Sequence, residues 1–219
     1  MMNKSYPESE NSLQRKEVTF KLPEEQRILA HDVFDFDPTK PAALRFHENH
    51  GSNVVLSNDG QTAERINGHD HGIVMCKYPM LINRLYEIRL DKKDPGNGDY
   101  KWLNDKSYLF CGVTIEAPGH LCLPGDAMEW GYAVVINNNH ITLRGQFMTG
   151  NPVGKKLENL PQGSSIGLAV DYRDRLRLYV NGEDQGVVIG LGIPFPCYAF
   201  FDLIGPYRKI STLPIRPLM

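Results

Sequence analysis

Four imidazoles stand at spacings that metal ligands use, His47-x-x-His50 and His69-x-His71. Neutral imidazole nitrogens bind zinc in tetrahedral sites, so four of them would in principle suffice. No cysteine adjoins either pair, and the simpler expectation is no metal: hydrogen-bonded histidines near one end of a sheet, with His69 and His71 in an exposed turn. No Ser/His/Asp, Cys/His or paired-carboxylate set stands in an arrangement with a mechanism attached, so neither a catalytic residue nor a cofactor is expected. What remains is binding chemistry. Asn67, His69, Asp70 and His71 share one turn rich in hydrogen-bonding groups, and Trp130 opens a strand after a loop with two prolines and two glycines. An indole at a strand start is core first, but its amphipathic ring can also anchor a bound peptide at a rim. Asn137 and Asn138 open a tight turn, Asn137-Asn138-Asn139-His140, and complete the set of candidate partner contacts.

Two further groups weigh against specific chemistries. Lys92, Lys93, Lys101 and Lys106 fall in one predicted loop and invite a membrane reading, but Asp91, Asp94, Asp99 and Asp105 interleave with them. Mixed charge of that kind cancels the field that would attract an anionic headgroup, so a solvated loop is favoured over lipid contact. A formal charge of -2 lacks the basic footprint of most nucleic-acid binders. The four cysteines, Cys76, Cys111, Cys122 and Cys197, form no CxxC pair, and three lie in apolar strand patterns. They read as reduced thiols in a reducing compartment. The N-terminus lacks the apolar core of a signal peptide and no run reaches transmembrane length, which predicts a cytoplasmic protein.

The elements that must position these residues are short strands. In 166–189, Ile166, Leu168 and Val170 alternate with Gly167 and Ala169, and Leu176, Leu178 and Val180 share a face opposite Arg175, Arg177 and Tyr179. That is the period of half-buried antiparallel strands. Asn181-Gly182 supplies the two positive-φ residues of a type I′ hairpin, and Gly186 permits a bulge beyond it. Further strands are predicted at 53–57, 61–66, 72–76, 85–91, 108–115, 130–136, 140–145, 197–203 and 208–212, with 92–106 a long hairpin loop. The strand 72–76 is apolar nearly throughout and reads as central; in 108–115, Leu109, Cys111, Val113 and Ile115 should face inward. Residues 1–16 read as disordered, 17–22 as a strand, and EEQRILAH as a helical turn or two. The expected fold is an all-β, antiparallel two-sheet sandwich, with an extension over 1–43, a domain over 44–212 and a tail over 213–219.

Taken together, several motifs resemble a Neuralized homology repeat. They are FHENHGSNVVLSNDGQTAERINGHDHGIVM, with its Phe46-His47 pair and the TAxR segment Thr62, Ala63 and Arg65; CGVTIEAPG; LYVNGEDQG; and CYAFFDLIGPYRKIS. The resemblance spans about residues 44–212 and implies a β-sandwich related to SPRY domains. It further implies a protein-interaction module that recognises a peptide or protein target, as the substrate-recognition part of a ubiquitin-ligase pathway, with a ligase subunit in trans. The layout is similar to small single-repeat members, but TLPIRPLM after Ser211 is too short for a SOCS box. Four scattered cysteines cannot supply the paired ligands, about eight in all, that hold the two zinc ions of a RING finger. A binding adaptor, not an enzyme, is therefore expected. The alternatives are a lectin-like carbohydrate-binding sandwich, supported by the Trp and Asn residues in loops, and a phosphoinositide-binding peripheral adaptor.

Overall fold

Alternation along 176–180 is the rule the chain obeys most plainly: Leu176, Leu178 and Val180 are buried, while Arg177 and Tyr179 between them are half-buried. The computed structural model describes residues 43–94, 109–137, 141–143, 145–148, 157, 160–190 and 192–218. The expectations for 1–22 and for the helical turn after it lie outside these residues.

In chain order the strands are β1 (Val54–Ser57), β2 (Thr62–Arg65), β3 (Ile73–Met75), β4 (Arg84–Lys93), β5 (Phe110–Thr114), β6 (Ala133–Ile136) and β7 (Ile141–Leu143). There follow β8 (Gln146–Met148), β9 (Ser165–Val170), β10 (Leu176–Val180), β11 (Glu183–Ile189), β12 (Tyr198–Asp202), β13 (Tyr207–Thr212) and β14 (Arg216–Pro217). They form two antiparallel sheets. One has the order β1-β2-β13-β4-β9-β10-β11, with β14 also paired to β4; the other runs β3-β12-β5-β6-β7-β8.

The inner faces of both sheets make the main core, in which Phe46, Tyr86, Ile88, Cys111, Leu178, Phe201 and Ile210 are buried together. The turn between β10 and β11 has the expected form: Val180 pairs with Glu183, and Asn181 and Gly182 take φ of 52° and 77°. The ladder shifts register between Leu178 and Tyr179, where Gly186 sits at φ 110°. At Gly112 on β5 a Cβ would lie 1.9 Å from the Val134 carbonyl oxygen and 2.8 Å from the Phe200 ring, so only glycine fits that crossing.

Five expectations need correction. The strand β3 is an edge of its sheet; its apolar faces are buried because residues 46–51 run beside it, with His47 N–H on Met75 O at 2.9 Å and Gly51 N–H on Ile73 O at 2.8 Å. Lys92 and Lys93 belong to β4 and not to a loop, because β13 pairs along that strand as far as Lys93. Ile115 is 48% exposed, since β5 ends at Thr114. The stretch 130–136 enters the sheet only at Ala133, and 140–145 gives β7 and then a turn into β8, which the alternation did not reveal.

The feature that matters most for function lies in residues 115–132. This connection crosses the outer face of the six-stranded sheet as a lid and closes a second, smaller core. Ile73, Met75, Phe110, Ala127, Trp130, Val135 and Phe200 are buried in it, with Leu121, Leu123 and Met128 packed at its margin.

Candidate interaction rim

Asp202, at the end of β12, pairs across the ladder with Ile73, at the start of β3. The loop entering β3 (66–72) and the loop leaving β12 (203–206) therefore occupy the same end of the sandwich. Backbone bonds fasten them: Gly205 N–H donates to His69 O at 3.2 Å, and Leu203 N–H to Gly72 O at 3.1 Å. The lid joins at the same end, with His71 N–H on Gly125 O at 2.6 Å. Three chain segments thus meet in one rim that two sheets support.

Two buried side chains hold the rim from beneath. Arg65, from the end of β2, is 1% exposed and directs Nη2 at the carbonyls of Gly205 and Tyr207 and Nη1 at Asn67 O, 3.4 Å away. Asp202 is fully buried; its Oδ2 accepts the Ala127 amide of the lid at 2.9 Å, while Oδ1 has no hydrogen-bond partner among the described residues. Burial pushes the Asp202 carboxyl up to about 7, with the charges of Asp126 and Asp70 adding to the rise and the Ala127 amide and Arg65 opposing it.

The candidate residues fall as follows. Asn67, Asp70 and His71 are exposed on the rim, and His69 is half-buried there. Asn53 Nδ2 donates to Asp70 O at 3.1 Å, which ties the turn back to the segment before β1. Asn137 is buried, with its Nδ2 3.9 Å from Met128 Sδ in the lid. Asn138 lies outside the described residues. Trp130 is 5% exposed, its ring 5.0 Å from that of Phe200 and its indole N–H donating to Glu116 Oε2 at 2.7 Å. It is a core residue that locks the two ends of the lid, and its ring is not available as a surface anchor. The burial agrees with reading a strand-start indole as core first, and the lid's apolar underside explains it.

Sequence reasoning missed Asp126, Glu129 and Asp202. Asp126 caps the 3-10 turn Ala127–Glu129 by accepting Met128 N–H at 2.6 Å. Glu129 is exposed beside Gly125, where an added Cβ would meet its Oε2 at 3.9 Å and the His71 ring at 3.5 Å. Asp202 stood in the quoted segment CYAFFDLIGPYRKIS, yet nothing in that segment marks its burial.

The remaining chemistry is structural. His47 Nδ1 accepts the Asn49 amide at 2.9 Å, and burial holds the ring below its usual pKa against the opposing charge of Glu48. Its neighbour His50 places Nδ1 3.0 Å from Gly51 O. Among the described residues no group of three or more His, Cys, Asp and Glu side chains is placed to hold a metal ion. Burial pushes the thiols of Cys76 and Cys111 far up, and that of Cys197 to about 12, so none of the three is a nucleophile near neutral pH. Lys92 pairs with Glu64 at 3.5 Å, and Lys93 lies over the Tyr207 ring at 5.2 Å. Lys101, Lys106, Asp99 and Asp105 lie outside the described residues. No helix among the described residues is long and apolar enough to cross a membrane.

The Neuralized family model matches residues 46–214, most of the chain and all but β14 of the sandwich. This chain belongs to the Neuralized family. The mouse Neuralized-like protein 2 is 23% identical over 116 residues, a match that covers 49% of this chain and 38% of that protein. The chain thus spans well under two thirds of that relative's length. Among solved structures, the crystal structure of the Drosophila melanogaster Neuralized NHR1 domain aligns with a TM-score of 0.57 at 18% identity, covering 78% of this chain and 98% of that one. The SPRY domain of human HERC1 aligns at 0.54 and 15% identity, over 77% and 97% of the two chains. Those likenesses establish the fold that NHR and SPRY domains share.

Proposed function

We propose that this chain is the target-recognition part of a ubiquitin-ligase pathway, acting in the cytoplasm, and that it binds a peptide of its target across the rim formed by 66–72, 124–129 and 203–206. The observation that carries this reading is the fastening of those three segments to one another by backbone bonds, with Arg65 and Asp202 buried beneath. A surface held in one conformation loses little entropy on binding, and recognition concentrates in loops fixed on a rigid scaffold. Membership of the Neuralized family supports the pathway. Lectin chemistry loses its main support with Trp130 in the core, and the described lysines of the basic segment are engaged with Glu64 and Tyr207.

The test is affinity purification from cells with the 219-residue chain and with an Asn67→Arg, His71→Glu rim variant, both positions being exposed. A target captured by the parent chain, lost with the variant, and less ubiquitinated when the chain is depleted is the expected outcome. Equal capture by a correctly folded variant would remove the rim from the interaction.

A further inference from the structure

The chain carries 24 Lys and Arg residues, yet none falls within 66–76 or 109–137. Those two stretches build the turn before β3 and the whole lid. Their acidic residues are Asp70, Glu116, Asp126 and Glu129. Glu116 is occupied by the Trp130 indole, whereas Asp70 and Glu129 are exposed and Asp126 is half-buried. Arg65 is 1% exposed, with Nη1 and Nη2 on the carbonyls of Asn67, Gly205 and Tyr207, and Arg208 at the rim's edge is held by the carbonyls of Arg65 and Ile66 and by Asp94 at 3.6 Å.

A second observation lies underneath. Asp202 is fully buried, within electrostatic reach of Asp126 and Asp70, and its Oδ1 has no hydrogen-bond partner among the described residues. Ionising a buried carboxyl that lacks a donor on one oxygen is costly, and positive charge brought to the rim above it would lower that cost through space. Acidic side chains at the surface and an unsatisfied acceptor below it favour the same sign of charge in a partner.

We propose that the rim selects a basic segment of its target, one that presents two or more Lys or Arg side chains to Asp70, Asp126 and Glu129. This rests on the rim being the interaction site. Complementary charge of this kind steers encounter and rejects acidic competitors, and it weakens as salt screens it.

The experiment uses a random 12-residue peptide library displayed on phage and selected against the 219-residue chain. Enriched peptides are then synthesised and measured by fluorescence anisotropy at low and high salt. The comparison protein carries Asp70→Asn, Asp126→Asn and Glu129→Gln; both Asn substitutions keep an acceptor oxygen for Asn53 and Met128, and a thermal melt confirms folding. The expected result is enrichment of Lys- and Arg-bearing peptides whose affinity falls about tenfold or more in the substituted protein and falls with salt. Neutral or acidic peptides that perturb amide shifts of 66–71 and 124–129 would overturn the charge inference and leave the rim reading intact. Basic peptides that bind both proteins equally would overturn it as well. Peptides that map to another surface, or no enrichment at all, would count against the rim itself.

Discussion

Ionising Asp202 places a full charge in the interior with one oxygen on the Ala127 amide and the other on nothing, and with Asp126 and Asp70 close enough to repel it. Its carboxyl is pushed up to about 7 in the folded chain, from an ordinary value of 3.8. The folded state therefore holds this proton more tightly than the unfolded state does. The stability it contributes is complete below the unfolded value and is lost as pH rises through the folded one, by up to roughly 4 kcal/mol at about 1.4 kcal/mol per unit. Denaturant titrations at pH 5 and pH 8 should show this chain weaker at the higher pH, and Asp202→Asn should remove most of that difference. A pH dependence untouched by the substitution would assign it to another group. None of this was legible in the sequence. A single Asp after four residues of mixed apolar character reads as the polar end of a strand, and only the lid folding over it makes it buried.

At the scale of elements, the lid and the turns behave differently. Trp130 packs at a tilt against Phe200 and donates to Glu116, so it joins the start of the lid to its end over the outer face of the sheet. Trp130→Ala should cost about 3–5 kcal/mol, as large aromatic truncations in cores do, whereas Glu116→Gln, which keeps an acceptor, should cost under about 1 kcal/mol. Melting curves of the two variants check this, and equal losses would show that the ring packing matters less than the bond. The Asn181-Gly182 turn makes a separate prediction. Gly182 sits at φ 77°, with 3.3 Å between an added Cβ and Arg216 Nη2, so Gly182→Val should cost more than about 1 kcal/mol in the same assay. The turn was readable because its chemistry is local: two residues set the backbone, and the alternation of Leu176, Leu178 and Val180 set the facing. The lid was not readable because its order comes from contacts far apart in the chain, as between Asn49 Nδ2 and the carbonyls of Pro118 and Leu121 at 2.7 and 2.8 Å. The candidate rim was legible in half: the turn 67–71 was found from its polar residues, while the carboxylates of the lid drew no notice because a loop with two prolines carries no period to read.

For the whole molecule, the question is whether recognition is coupled to chemistry within the same chain. Ubiquitin transfer depends on holding a charged conjugating enzyme close to its target, and proximity is the main thing a ligase supplies. A RING finger would do so with two zinc ions on about eight Cys and His ligands. Of this chain's four cysteines, Cys76, Cys111 and Cys197 are buried as free thiols, already spent on the hydrophobic core. The last strand, β14, lies against β4, so Arg216 and Pro217 serve the sandwich itself. On the proposed reading, the transfer chemistry comes from outside these 219 residues. The purified 219-residue chain, mixed with activating enzyme, a panel of conjugating enzymes and ubiquitin, should form no polyubiquitin on its own. Addition of a ligase subunit recovered with the chain from cells should produce ubiquitinated target, and the rim substitutions should abolish that product without changing the subunit's self-modification. Polyubiquitin that depends on the purified chain alone would falsify the division of labour. So would target modification that survives loss of the rim, because selection of the target would then lie elsewhere.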